Sequence, residues 1–307
     1  MTACLVCLRP TQQASGYHQR CLRELFQTSK PPIIDLREAE VNTAALAMVG
    51  RVSFSGIQRK LSAGLSADRR TLQVATADGR YLLKPHTDSF PGLPENEHLT
   101  MRLARLFRMD VPPCGLVSLA DGSLAYLVRR FDRRADGSKV DQEDFCQLTQ
   151  QPPAGKYNGS ALLCARVIKA YAAQPRIALL RLFEQWVFVW WTANGDFHLK
   201  NMSLYAPDGR YQMTPVYDML CTRLAIPNDQ FAMSLDDDPD LQFSSARWET
   251  FARQCELRPS VFIDVLSRPQ RLLHEAHELV DRSYLGEPAR RTYSNILATR
   301  AAALAAA

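Results

Sequence analysis

Residues 177–193, IALLRLFEQWVFVWWTA, are the most apolar run of the chain, broken only by Arg181, Glu184 and Gln185. A helix that crosses a bilayer needs about 20 consecutive, mostly apolar residues. This run is too short and too polar for that, and it reads as a buried helix. The chain then passes at once into NGDFHLKN, which sets Asp196, His198, Lys200 and Asn201 within six residues. Asp218 follows among the apolar neighbours of MTPVYDML. Carboxylates in such company are costly unless paired or metal-bound, so the cluster at the end of this helix must hold something.

The rest of the chain is that of a globular protein. Its 307 residues suffice for one large or two ordinary domains, with 46% apolar and 22% charged residues. A net charge of +5 is compatible with phosphate ligands or nucleic acid and proves neither. The opening MTACLVCLRPTQQ has no sustained apolar core, so no secretory signal is read there. A cytoplasmic location without membrane attachment is the expectation, with the eight cysteines serving as thiols or metal ligands.

Residues 1–30 stand apart by their spacing. Cys4-x2-Cys7 and His18-x2-Cys21 offer three thiolates and one imidazole, the donor set of a closed, structural zinc site. The plainer reading is four unrelated residues near a loose terminus.

From 31 to 127 the pattern is strand-rich. TLQVATADGRYLLKP reads as two strands joined by a turn at Asp78-Gly79, and CGLVSLADGSLAYLVRRFD as a hairpin turning at Asp121-Gly122. PENEHLTMRLARLFRM has helical spacing, with Pro94 and Glu95 at its start. From 128 to 307 the chain becomes helical, with expected helices near 141–149, 159–173, 176–193, 246–256, 259–267 and 270–282. The alanine-rich ATRAAALAAA is expected to be a surface helix or a frayed tail. The order predicts an α+β protein with two lobes: a small β-rich one, then a larger all-helical one.

Asp196 and Asn201 are spaced D-x-x-x-x-N. Phosphoryl transfer needs a carboxylate to orient or deprotonate the attacking hydroxyl, and an oxygen ligand for the magnesium that neutralises the phosphates. Protein kinases use this separation in their catalytic loop. Asp218 is suited to be a second metal ligand, and His198 and Lys200 lie where they could touch the transferred phosphate. Lys84, closing the strand RYLLKP, is a candidate for the α/β-phosphates, with Glu97 on the next helix to hold it. The small and hydroxyl residues of VSFSGIQRKLSAGLS around Gly56 could wrap phosphate oxygens, although G-x-G-x-x-G and Walker patterns are missing. Alone, D-x-x-x-x-N or a strand-end lysine is a weak signal.

In order, SFSGIQRKLS, YLLKP, PENEH, VRRFDR, EDFCQL…KY, NGDFHLKN and TPVYDML resemble the HipA-type serine/threonine kinases, toxins of bacterial toxin–antitoxin systems, over residues 45–220. The resemblance implies a two-lobed, protein-kinase-like fold that uses ATP and Mg2+. Asp196 then matches the catalytic base, His198, Lys200 and Asn201 the ATP/magnesium loop, and Asp218 the metal-binding aspartate beside Tyr217. Lys84 matches the ATP lysine. Ser55, Gly56, Ile57, Gln58, Arg59 and Lys60 match the loop over the phosphates, and Arg129, Arg130 and Phe131 the hinge beside the adenine. Ser53 and Ser55 lie where the family autophosphorylates, which shuts the kinase. A phosphoserine carries close to two negative charges and would compete with ATP for the same space.

Only about 50 residues precede the phosphate loop, and the SFSG pair of serines is similar to HipT, the short toxin of HipBST systems. That likeness implies a HipS-like small antitoxin and a HipB-like helix-turn-helix partner, with DNA met only through the latter. The implied substrate is an aminoacyl-tRNA synthetase. Two other readings stand beside this one: an antitoxin-holding, operator-bound module with little kinase activity, and a small-molecule phosphotransferase. Trp186, Trp190 and Trp191 read as core anchors, LDDDPD at 235–240 as a solvated loop, and His274 with His277 as an exposed helix face.

Overall fold

The computed structural model describes residues 2–47, 60–75, 79–87, 90–236, 238 and 243–306. Of the expected phosphate loop, Ser55 to Arg59 lie outside the described residues and Lys60 is described; Ser53 and Asp78 of the expected turn also lie outside them.

The chain opens with two short strands, β1 (Thr2–Ala3) and β2 (Pro10–Thr11), then α1 (Gln19–Leu25) and α2 (Glu38–Ala47). Strands β3 (Leu61–Leu65), β4 (Leu72–Val74) and β5 (Tyr81–Lys84) lead to α3 (Leu93–Leu106), β6 (Cys114–Ser118) and β7 (Leu124–Arg129). Five of these strands form an antiparallel sheet in the order β4-β3-β5-β7-β6. The hairpin at Asp121-Gly122 is present, with Ser118 paired to Leu124 and Gly122 at φ +84°. The two strands of TLQVATADGRYLLKP also form, but β3 lies between them and bonds to both. The apolar pattern marks strands without naming their neighbours.

Helix α3 starts from Gly92, whose φ of +80° favours glycine, with Pro94 in its first turn. It packs across β6 and β7 through Leu99, Leu103 and Ala104.

The larger lobe is helical with one small sheet that the sequence pattern hid. The stretch expected as a helix over 141–149 is instead β8 (Gln142–Asp144) followed by one turn, α4 (Phe145–Leu148). Asp144 stops the strand and caps the turn. Its Oδ1 accepts from Gln147 N at 2.8 Å while Gln147 Oε1 accepts from Asp144 N at 3.0 Å. Next come α5 (Ala161–Tyr171), capped by Ser160, and α6 (Pro175–Trp191). Strands β9 (Ser203–Tyr205) and β10 (Gln212–Met213) complete a sheet ordered β10-β9-β8. These strands have two or three residues each, too few to show alternation.

Helix α6 is the axis of the lobe. Leu179, Leu182, Phe183, Trp186, Val187, Phe188 and Trp191 are all buried, while Trp190 is half-buried under the Arg300 guanidinium. It is packed by α8 (Pro259–Arg271) and α10 (Glu287–Ala305) and, through Phe183, by α7 (Ser245–Gln254), while α9 (Leu273–Asp281) lies against α3, α8 and α10. The alanine-rich end is a surface helix, exposed at Ala302, Ala303 and Ala305, that also packs a buried stripe and so is not a frayed tail. Tyr293, Leu297, Ala301 and Leu304 of α10 are buried, and Trp191 Nε1 donates to Leu297 O at 3.1 Å. Alanine at contact positions lets helices approach closely, and composition alone does not separate that use from exposure. His274 is exposed beside Glu278 as expected, whereas His277 is half-buried with its Nε2 3.3 Å from Ser294 O. Among the described residues, no helix is long and apolar enough to cross a membrane.

Candidate active site

Lys84 lies at the end of β5, opposite Tyr126 of β7, and is only 2% exposed. Its Nζ donates to Glu97 Oε1 at 2.6 Å and also to Asp218 Oδ1. Burial alone would lower the lysine, yet Asp218 and Glu97 outweigh it and hold its pKa above the ordinary value. Burial would likewise raise Asp218, but Lys60 and Lys84 together keep that carboxyl far below its usual range. Glu97 has the same lysine with less access to other cations, and burial pushes it up. Lys60, the described end of the expected phosphate loop, reaches Asp218 Oδ2 at 3.1 Å.

The other candidates come from the loop after α6. Ala193, at φ +55°, turns the chain out of the helix, and Asn194 N donates back to Val189 O at 3.0 Å. Gly195 N donates to Thr222 Oγ1 at 2.8 Å, while Thr222 Oγ1 donates to Ala193 O at 3.1 Å. Asp196 follows with its side chain 44% exposed. Its Oδ1 accepts from the Tyr157 phenol at 2.9 Å. Phe197 points the other way, edge-on to the buried Trp186 at 5.8 Å. This contact ties the Asp196 loop to the apolar axis and explains why the polar cluster directly follows that helix.

His198 is buried 3.8 Å from Asp196 Oδ1. Burial lowers its pKa to about 4, against the opposing pull of Asp196, so the imidazole is neutral at pH 7. Asn201 Oδ1 accepts from His198 N at 3.0 Å and keeps a second lone pair for another partner. Lys200 is drawn sideways to Asp144 Oδ2 at 2.6 Å. Tyr217 joins its hydroxyl to Ser203 at 2.6 Å and to Lys200 O at 3.0 Å. Phe131 packs between Tyr205 and Tyr217, and Arg130 is held by Asp132 at 2.6 Å and 2.9 Å.

Lys60, Lys84, Arg129, Arg130, Phe131, Asp196, His198, Lys200, Asn201, Tyr217 and Asp218 all line one cleft of ≈ 1380 Å³ between the lobes. Ser53, Ser55, Gly56, Ile57, Gln58 and Arg59 lie outside the described residues. The donors fit magnesium and a nucleotide: a carboxylate and an amide oxygen are hard ligands, and two lysines meet at Asp218. Apolar Leu82, Val128, Ala225 and Ile226 on the walls suit a base.

Three contacts escaped the sequence reading. The Tyr157 bond to Asp196 spans 39 positions, and the Thr222 bridge had no signal beyond an ordinary threonine. Asn96 is a third, pairing both ways with the backbone of Cys221 at 2.8 Å and so joining α3 to the Asp218 segment.

The four expected zinc ligands also converge. Single donor atoms of Cys4, Cys7, His18 and Cys21 lie within 4.8 Å of one another. Hydrogen bonds from Cys21 and Cys4 hold the Cys7 thiol far below its ordinary value. The segment that carries them is packed into the small lobe, with Cys4, Leu5, Val6, Cys7, Cys21 and Leu22 buried.

Comparison with known proteins gives the same picture. Residues 52–282 match the HipA-like C-terminal domain. The chain is 33% identical over 215 residues to a Sinorhizobium fredii protein named "Putative kinase Y4mE", covering 66% of this chain and 51% of the relative. It is 27% identical over 240 residues to a Haemophilus influenzae protein named "Putative kinase", covering 72% and 68%. The chain thus spans about half the length of the Sinorhizobium relatives it matches. In structure it resembles a chain of the Shewanella oneidensis MR-1 toxin–antitoxin complex of HipA, HipB and operator DNA. The TM-score is 0.70 at 21% identity, over 87% of this chain and 71% of that one. The Helicobacter pylori proinflammatory kinase CtkA follows at TM-score 0.54 and 14% identity, over 73% and 86%. These structural likenesses establish the two-lobed kinase fold, and the match over residues 52–282 establishes that the chain belongs to the HipA-like C-terminal domain family.

Proposed function

We propose that this chain is a HipA-type protein kinase that transfers the γ-phosphate of ATP to a serine or threonine hydroxyl. The observation that carries this reading is the buried Lys84–Glu97 pair meeting Asp218 at the cleft that Asp196 and Asn201 also line. A scaffold that only binds a partner has no reason to hold two carboxylates against one buried lysine, because such an arrangement is costly.

Lys84, oriented by Glu97, grips the α/β-phosphates, and Lys60 moves from Asp218 to phosphate oxygens. Asn201 and Asp218 would hold magnesium, which neutralises the charge of the phosphates. Asp196, fixed by Tyr157, accepts the proton of the attacking hydroxyl. Neutral His198 backs Asp196 without adding a positive charge. Lys200, tied to Asp144, stays within the wall of the cleft and serves the substrate side. Arg129, Arg130 and Phe131 border the adenine, with Tyr217 supporting Phe131.

The finer reading follows the resemblance to HipT. Ser53 and Ser55 are the autophosphorylation sites, and the protein target is an aminoacyl-tRNA synthetase whose modification inhibits growth. A HipS-like protein and a HipB-like DNA-binding protein are the partners, in keeping with the HipA–HipB complex that this fold resembles.

The test is incubation of purified protein with cell lysate and labelled ATP, comparing wild type with Asp196→Gln. Labelled bands that vanish with the variant support the kinase and identify its target. Equal labelling by both proteins would overturn the assignment of Asp196. A Ser53→Ala, Ser55→Ala double variant that still labels itself would remove the autophosphorylation sites from the proposal.

A further inference from the structure

The Cys/His cluster is built into the machinery that holds the Lys84–Glu97 pair. His18 Nδ1 lies 3.3 Å from Cys7 Sγ and 3.9 Å from Cys21 Sγ. A tetrahedral zinc with Zn–S near 2.3 Å sets its ligand atoms roughly 3.5–3.8 Å apart, so little movement is needed. The other ring nitrogen, Nε2, donates to Pro10 O at 3.0 Å. That bond places the ring proton on Nε2 and leaves the Nδ1 lone pair for an ion, as metal-bound histidines require. All three cysteines are free and buried.

The loop between Cys4 and Cys7 lies against β6 and α3. Leu116 N donates to Leu5 O at 2.7 Å, extending the sheet past its edge strand. A Cβ on Gly115 would stand 2.8 Å from Val6 Cγ2 and 3.0 Å from Leu5 O, so this approach needs glycine. Val6 O, between two of the ligands, accepts from the buried His98 Nε2 at 2.9 Å. His98 directly follows Glu97 in α3. Further bonds fasten the same segment: Tyr17 to Leu116 O at 3.0 Å, Glu24 to Arg105 at 2.5 Å, and Tyr284 to Ala3 O.

We propose that Cys4, Cys7, His18 and Cys21 bind one zinc ion, and that this ion fixes α3, and with it Glu97, in the position that pairs with Lys84. Two strands of two residues and a helix of seven cannot hold their shape alone. A closed zinc site supplies the missing rigidity, and the Val6–His98 bond passes it to α3. On its far side α3 is anchored by Asn96 to Cys221 and by Thr100 to Tyr293 at 2.8 Å. The metal thus holds the near side of a helix that already spans both lobes.

Elemental analysis of the full chain, purified in reducing buffer, is expected to find one zinc per chain. Iron in its place, or no metal retained after zinc is added back, overturns the site. Cobalt substitution should give the absorption of a tetrahedral thiolate site, and Cys7→Ser should lose it. Hydrogen–deuterium exchange of the zinc-loaded and chelator-stripped protein then reads the coupling. Removal should speed exchange roughly tenfold or more in residues 2–26, β6 and α3, leave α7 and α8 unchanged, and be reversed by zinc. Exchange in α3 that stays the same after metal loss would overturn the link to Glu97. His98→Phe keeps the ligands and removes the bond to Val6, so it should loosen α3 with zinc still bound. An α3 as protected as in wild type would also overturn that link.

Discussion

The phenol of Tyr157 donates to Asp196 Oδ1 at 2.9 Å, and the same ring stands edge-on to His198 with centroids 5.2 Å apart. One tyrosine therefore sets both the acid and the imidazole of the reactive loop. Tyr157→Phe keeps the ring contact and removes only the donor. A hydrogen bond to a charged group contributes about 1.5–3 kcal/mol, and water will replace part of it at this exposed site. The expected result is a roughly tenfold fall in kcat with the KM for ATP within about twofold. Steady-state phosphotransfer assays check it; an equal loss in ATP affinity would place Tyr157 on the nucleotide instead.

Lys84 joins the buried Glu97 to the half-buried Asp218, which Lys60 also reaches from the cleft side. Lys84→Met leaves both acids without that partner, and breaking a buried pair costs about 3–5 kcal/mol. The double variant Lys84→Met, Glu97→Gln should recover part of this loss in urea unfolding. The pH dependence has a definite sign. Asp218 is depressed, so its contribution is present above about pH 4 and is lost as acid approaches its folded value. Lys84 is raised, so its share is present below about pH 10 and disappears only above its folded value. Glu97 is pushed up by burial, so its share is fullest below about pH 4.5 and declines as pH rises through its folded value. Only above that value should the stability from these groups be flat until Lys84 titrates.

Much of this site was legible because its chemistry is local. NGDFHLKN and TPVYDML each carry their residues within a few positions, and an apolar run beside polar groups marks a loop fixed by a core helix. Lys84 and Glu97 could be paired from sequence because a strand and the next helix bring them together. Tyr157 on Asp196 and Asn96 on Cys221 depend on contacts 39 and 125 positions apart, for which no periodicity speaks. The same limit hid β3 between β4 and β5. It also disguised α10, whose buried stripe of Tyr293, Leu297, Ala301 and Leu304 is spread among exposed alanines. Gln142–Asp144 reads as helix in the sequence because three strand residues beside a capped turn leave no alternating pattern.

His198 is neutral in the folded protein because burial lowers its pKa to about 4 from 6.5. Unfolded chains would bind a proton there between these values, so stability must fall as pH drops through this range. At about 1.4 kcal/mol per unit, the ceiling for the whole shift is about 3 kcal/mol. His198→Gln removes the titration. The wild type should therefore lose stability relative to the variant between pH 7 and pH 4, read by urea unfolding at each pH. Parallel curves would mean that the imidazole is already charged, or equally exposed, in the folded state.

Gly195 precedes Asp196 in a space that admits no side chain. A Cβ there would stand 2.1 Å from Asp229 Oδ2 and 2.5 Å from Gln230 O. The carboxylate can swing away, but the carbonyl belongs to backbone and must carry its neighbours with it. The loop resists from the other side too, through Gly195 N on Thr222 Oγ1 at 2.8 Å. Gly195→Ala should thus cost about 1–3 kcal/mol of stability, as overpacking does, and displace Asp196 from Tyr157. Transfer should fall by more than tenfold, since an error near 1 Å in a reacting group is enough for that. Calorimetric ATP affinity should change less than transfer, because Glu97 holds Lys84 and Asn96 holds the segment after Asp218, both from α3. A variant with wild-type stability and slowed transfer would show that the 229–230 segment yields while Asp196 still moves. Unchanged transfer would instead mean that Asp196 tolerates displacement, contrary to its proposed role as the base.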